Sequence, residues 1–176
     1  ISSTGPVGSF IYPAEDSIFV ACVGDSIMMR LIDSDGINDA SVSLSYGIHG
    51  CDDVEILGLS DPRVTWRVVS GNIVAVFHPD PELADGDTVC MQILHAEDML
   101  GNPMDMPVQR YFYIDYSAPH IITHFPTADT IIEDVAPEIC FELTDIYSGI
   151  DQSSIIFSVD GNDYSYDAPG ISWDGS

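Results

Sequence analysis

The chain contains one pattern twice. Residues 1–19 read ISSTGPVGSFIYPAEDSIF, and residues 114–132 read IDYSAPHIITHFPTADTII. Pro6 matches Pro119, Pro13 matches Pro126, Asp16 matches Asp129 and Ile18 matches Ile131, each at an offset of 113. The match continues through Ile27, Met29, Leu31 and Asp33, which lie against Ile139, Phe141, Leu143 and Asp145 at 112. After one inserted residue, Gly36, Ile37 and Val42 lie against Gly149, Ile150 and Ile155, again at 113. Further on, Pro62 and Trp66 lie against Pro169 and Trp173 at 107. The first copy therefore carries about six extra residues, with Cys51 in or beside them. A period of this size marks an array of like domains. We expect a first unit over 1–115 and, over 116–176, the N-terminal half of a second. Half a unit exposes apolar strand edges, so we expect the chain to be part of a longer array. It begins without Met, a basic leader or a signal peptide, as a mature piece or excised fragment does.

The local period is two. Ile27, Met29 and Leu31 face one way and Met28 and Arg30 the other; Val89, Met91 and Ile93 alternate with Cys90, Gln92 and Leu94. Such runs, bounded by Gly, Pro, Asp and Asn, are strands. The spacing predicts strands near 8–12, 17–20, 26–32, 41–46, 54–59, 64–69, 72–77, 87–95 and 108–114, separated by the turns SGN, ADGD and MLGNP. No stretch sustains a helical period. The fold class that follows is all-β: tandem β-sandwich units of immunoglobulin type, the second incomplete. The Cys…Trp…Cys pattern of antibody domains is not evident.

Charge narrows the function. The chain carries 29 acidic residues against four basic ones, all Arg, for a net charge of −25. Nucleic acid and anionic membrane would both be repelled. No apolar run approaches the ~20 residues of a membrane-spanning helix. Asp outnumbers Glu, which suits turns and oxygen-ligand metal sites; adaptation to a saline habitat also raises acidity.

The stretch VTWRVVSGNIVAVFHPDPELADGDTVCMQILHAEDMLGNPM, followed by RYFYIDYSAP, resembles the bacterial Ig-like repeats of secreted and surface-layer proteins. The shared order is a Trp strand, L-x-x-G before a Val- or Tyr-rich strand, a D-x-x-GN turn, an aromatic last strand and D-x-x-AP into the next unit. Asp98, Gly101 and Asn102 fit the turn, and Ala118 and Pro119 fit the junction. Residues 125–161 resemble the start of the same kind of unit. The resemblance implies an extracellular modular scaffold with no catalytic residues. Some Ig-like bacterial domains of this kind crosslink Lys to Asn or Asp, which a chain without Lys cannot do.

DSDGIND, residues 33–39, is a candidate Ca²⁺ loop. Calcium takes several hard oxygens at ~2.3–2.6 Å. Asp33, Asp35 and Asp39, with a carbonyl near Ile37, offer them, and Gly36 permits the turn. A plain Asx turn needs only Asp33 and Gly36. The second copy reads DIYSGIDQ and keeps Asp145 and Gly149 but not the middle Asp, so what persists is the turn. A further site at the junction draws on Asp115, Asp145 and Asp151. The metal candidates are thus Asp33, Asp35, Asp39, Asp145 and Asp151.

Other candidates are weaker. His120 and His124 stand over ~13 Å apart along a strand, too far to share a metal. Trp66 and Trp173 recur at matched positions, as core anchors do. Tyr164 and Tyr166 alternate near Trp173 and offer a sugar-stacking strip. Asp52–Asp53 and Glu97–Asp98 are adjacent pairs, and neighbours on a strand point to opposite faces, not across a glycosidase cleft. No nucleophile elbow is present. Among Cys22, Cys51, Cys90 and Cys140 no C-x-x-C spacing occurs and none is matched in the other copy, so at most one bond is expected, Cys51 with Cys22 or with Cys90.

The sequence points to a non-enzymatic, secreted or cell-surface structural spacer, calcium as its candidate cofactor and neighbouring Ig-like repeats of the same or another chain as its partners. The alternatives are an adhesive or carbohydrate-binding module taking a glycan, and a strand-exchanging filament subunit.

Overall fold

A computed structural model describes residues 4–21 and 26–174. The chain divides into two compact units, residues 1–116 and 117–176. No α-helix occurs among the described residues.

Unit 1 is built from nine strands: β1 Val7–Tyr12, β2 Phe19–Val20, β3 Ile27–Ile32, β4 Ile37–Gly47, β5 Glu55–Gly58, β6 Val64–Val69, β7 Asn72–Phe77, β8 Thr88–Asp98 and β9 Val108–Ile114. They form a four-stranded sheet, β1-β3-β7-β6, and a five-stranded sheet, β2-β9-β8-β4-β5. All pairs are antiparallel except the short parallel pair β2–β9. The period-two alternation decides the faces. Ile27, Met29 and Leu31 of β3 and Ile73, Ala75 and Phe77 of β7 are buried, as are Leu44, Val89, Met91, Ile93 and Phe112 from the other sheet. Apolar residues from both sheets form one core, in a β-sandwich-like architecture.

Each of the nine expected strands occurs. Two are longer than the alternation shows: β4 starts at Ile37 and β8 runs on to Asp98. Ile37 lies opposite Asp98 and Asn38 opposite Glu97, and then β4 bulges before Ser43 pairs with His95. The Ser41 hydroxyl fills the gap, accepting from the Glu97 amide at 2.7 Å and donating to the Asn38 carbonyl at 2.6 Å. A side chain replacing a ladder bond leaves no trace in the apolar pattern.

Cys51 bonds Cys90, closing a sequence separation of 39. Cys22, the other partner considered for Cys51, lies outside the described residues, and Cys140 is a free, exposed thiol. A structural disulfide of this kind suits an oxidising, extracellular-like environment.

Unit 2 has β10 His120–Phe125 paired with β11 Cys140–Thr144, a 3-10 turn Gln152–Ser154, and β12 Ile156–Val159 paired with β13 Asn162–Ser165. Its registers repeat those of unit 1. Val7 pairs with Ile32 and His120 with Thr144; Tyr12 pairs with Met28 and Phe125 with Cys140. Likewise Ser43 pairs with Gly58 and Ile156 with Ser165, while Tyr46 pairs with Glu55 and Val159 with Asn162. The six-residue difference between the copies is thereby located. Tyr46 and Glu55 enclose residues 47–54, whereas Val159 and Asn162 enclose only Asp160 and Gly161, both at positive φ in a tight hairpin turn. Cys51 sits in that longer loop, and its disulfide fastens the loop to β8.

The two units differ in cover. Ile27 is 1% exposed because it faces the core between the two sheets of unit 1; its match, Ile139, is 58% exposed just before β11, which belongs to a two-stranded sheet. Phe141 and Phe157 meet at 4.8 Å between the two hairpins of unit 2.

Candidate metal centre

Among the described residues, the strand ends that meet at Ile37 and Asp98 carry a cluster of three acidic side chains. β3 ends at Ile32 and the chain turns through Asp33–Gly36 into β4. Asp33 shapes this turn: its Oδ1 accepts the Asp35 amide at 2.7 Å, and its own amide donates to the Asn72 side chain at 3.0 Å. Gly36 has φ of +86°, a left-handed conformation that only glycine adopts freely. Its carbonyl accepts the Met99 amide at 3.1 Å, which ties the turn to the end of β8.

There stands Asp98, 1% exposed. Its Oδ1 accepts from the Leu100 and Asn102 amides, each at 2.8 Å, and its Oδ2 from the Asn102 side-chain amide at 2.6 Å. Burial pushes its carboxyl up, but these donors, Asn102 above all, outweigh it and hold the group below the ordinary carboxylate range. Asp98 is therefore a buried anion whose charge is stabilised by the D-x-x-GN turn.

One carboxylate oxygen from each of Asp33, Asp35 and Asp98 lies within 4.8 Å of the other two. Ligands on opposite sides of one Ca²⁺ stand about 5 Å apart, so the three oxygens fit a single hard cation, with water completing its coordination. Three carboxylates this close repel one another, and a cation between them relieves that.

Of the residues the sequence nominates, Asp33 and Asp35 come together. Asp39 does not join them: it lies in β4, on the bulged segment, and is exposed. Asp145 and Asp151 belong to unit 2. Asp145 repeats the turn of Asp33, its Oδ1 accepting from Tyr147 and Gly149 at 3.2 and 2.9 Å. Gly149, at φ +79°, repeats Gly36. Asp151 caps the 3-10 turn, accepting from the Ser153 amide at 2.9 Å. Neither belongs to a cluster of three acidic side chains among the described residues. Asp115 is buried in unit 1.

The sequence presents Asp98 only as a turn residue. Its approach to Asp33 depends on the pairing of β4 with β8, whose paired residues Ile37 and Asp98 are 61 positions apart in the chain. The available signal is the D-x-x-GN motif itself, which fixes a carboxylate at a strand end.

Two other readings change. Trp66 and Trp173 are 38% and 37% exposed and do not anchor a core. β6 is the edge of its sheet, so the flank of Trp66 is open. Trp173 lines a cleft of about 420 Å³ with Phe141, Phe157 and Tyr164.

The Asp98 environment sets an acid limit. A carboxyl whose folded pKa is depressed contributes stability above its unfolded value, about 3.9, and loses it as pH falls through the folded value. We expect the melting temperature of the wild-type chain to fall more steeply below about pH 4 than that of Asp98→Asn. Thermal melts from pH 7 to pH 2 measure this, and parallel curves would remove Asp98 from the acid limit.

No protein-family model and no curated protein matches the chain.

Proposed function

We propose that this chain is a non-enzymatic extracellular structural module: two immunoglobulin-like units in tandem that act as a spacer at a cell surface, the first stiffened by calcium. The observation that carries this reading is the register of unit 2, whose pairs β10–β11 and β12–β13 reproduce the registers of β1–β3 and β4–β5 of unit 1. The second unit is incomplete, the start of a repeat, and an array that continues such sandwich units in series gains length and stiffness, which are what a stalk requires. The Cys51–Cys90 bond supports the extracellular assignment. The Asp33, Asp35 and Asp98 cluster supports the calcium assignment. Calcium there would join the β3–β4 turn to the end of β8, crossing from one sheet to the other.

The test is thermal unfolding of the whole chain in EDTA and then in 10 mM Ca²⁺ at fixed ionic strength. Extracellular calcium modules bind with Kd of about 10⁻⁴–10⁻³ M, so this concentration stabilises by ~1.4–2.7 kcal/mol. For a unit of this size the midpoint should rise by roughly 5–10 °C. The rise should vanish in Asp33→Ala and Asp35→Ala and survive in Asp39→Ala. An unchanged midpoint in the wild-type chain would remove calcium from the proposal. Equal shifts with Mg²⁺ would replace calcium by general charge screening.

A further inference from the structure

We propose that the outer face of the four-stranded sheet of unit 1 docks the matching outer face of unit 2 in a second copy of this chain, with Arg30 against Glu142. This deepens the spacer reading and rests on it, because it names the partner with which such modules associate.

The chain has four cations, and two are engaged. Arg63 bridges Glu55 and Asp61 at 2.6 and 3.0 Å. Arg110 pairs with Asp16 at 3.4 Å and lies over the Phe10 ring. The other two, Arg30 and Arg67, are exposed, and their side chains have no hydrogen-bond or ion-pair partner among the described residues. They share one cross-strand row, Arg30 opposite Val74 and Val74 opposite Arg67. Beside this row runs a shallow groove of about 350 Å³, lined by Met28, Thr65, Trp66, Arg67, Val74 and Val76. Tyr12, opposite Met28, extends the apolar strip. In a chain of net charge −25 the unengaged positive charge thus gathers on one sheet face, around an apolar strip.

In unit 2 the β10–β11 pair presents the counterpart of the β1–β3 part of this face with the sign reversed. Residues 117–176 include eleven acids and no Lys or Arg. By register Cys140 stands where Met28 stands and Phe125 where Tyr12 stands, and Glu142 falls where Arg30 does. Glu142 is exposed on β11, and Phe125 is 54% exposed. Pairing two unit 1 faces opposes Arg30 to Arg30, and pairing two unit 2 faces opposes Glu142 to Glu142. Only the mixed pair brings opposite charges together over apolar flanks, so the faces select unit 1 against unit 2.

The contact is small. Unit 2 offers only the two strands β10 and β11, and two strands about 4.8 Å apart and six residues long present roughly 200 Å² per partner, a quarter of a standard interface. Single copies therefore associate weakly, and successive units along an array add avidity.

The experiment is sedimentation of the full chain from micromolar to millimolar concentration at 0.15 M salt, with a non-reducing gel to show that no disulfide links the copies. We expect concentration-dependent association. Arg30→Glu and Glu142→Arg should each weaken it by at least about tenfold, and the double charge swap should restore it to within about threefold. Both side chains are exposed, so unchanged melting temperatures keep folding out of the comparison. A monomer at every concentration, a concentration-independent compact species, wild-type association in Arg30→Glu, or failure of the double swap would each overturn the proposal. A monomer that still shows the calcium-specific melting shift loses the docking and keeps the spacer reading.

Discussion

With Cys51→Ala and Cys90→Ala together, unit 1 is expected to melt roughly 15 °C below the wild-type chain. The bond spans 39 residues. Closing a loop of that length removes freedom from the unfolded chain equivalent to about 4 kcal/mol. For a unit of this size each kcal/mol moves the midpoint by about 4 °C. The native loop has little else to hold it. Asp52 and Asp53 are exposed, and the backbone ties run from Gly50 and Ile48 to Thr88 at 3.0 and 3.3 Å. Cys90, by contrast, is wholly buried on β8. Scanning calorimetry of the variant and the wild-type chain measures the effect. A shift under about 5 °C would mean that the 47–54 loop is held by its contacts and not by the crosslink.

The second large effect is at Phe77. Its ring is completely buried, meets Tyr46 at 4.5 Å and lies beneath the Arg63 guanidinium at 5.3 Å. Phe77→Ala removes the ring from between the two sheets and leaves a cavity that the rigid strands cannot close. The loss should be about 3–5 kcal/mol, or roughly 12–20 °C in the midpoint. The control is Trp66→Ala. From the sequence Trp66 is the larger anchor, yet it is 38% exposed at the β6 edge, so its loss should stay below ~1.5 kcal/mol. Denaturant titration of the two variants separates the cases, and equal losses would place Trp66 in the core after all.

These two residues also show where legibility in the sequence begins and ends. β7 reads Asn-Ile-Val-Ala-Val-Phe, and its alternation alone puts Phe77 inside. The same rule places Ile27, Met29 and Leu31 of β3 in the core. Trp66 escapes it, because whether a strand lies at an edge depends on sheet order, which alternation does not carry. The turn at Asp33 and Gly36 is legible because its copy at Asp145 and Gly149 repeats it. The third carboxylate, Asp98, is not, since it arrives through long-range pairing. Asp39 reads as part of the loop but belongs to a strand. Asn38 and Asp39 are both polar, and a bulged strand start with its hydrogen bonds taken up by Ser41 looks like a turn in sequence.

The crosslinked loop changes what happens when such a module is pulled. Tension applied at the two ends of unit 1 can straighten the chain only up to Cys51 and again beyond Cys90. The stretch between them, a sequence separation of 39, is withheld, and at ~3.3–3.6 Å per residue that is about 130 Å of hidden length. An oxidised module is therefore a short tether that resists extension, and the same module, once reduced, is a longer and more yielding one.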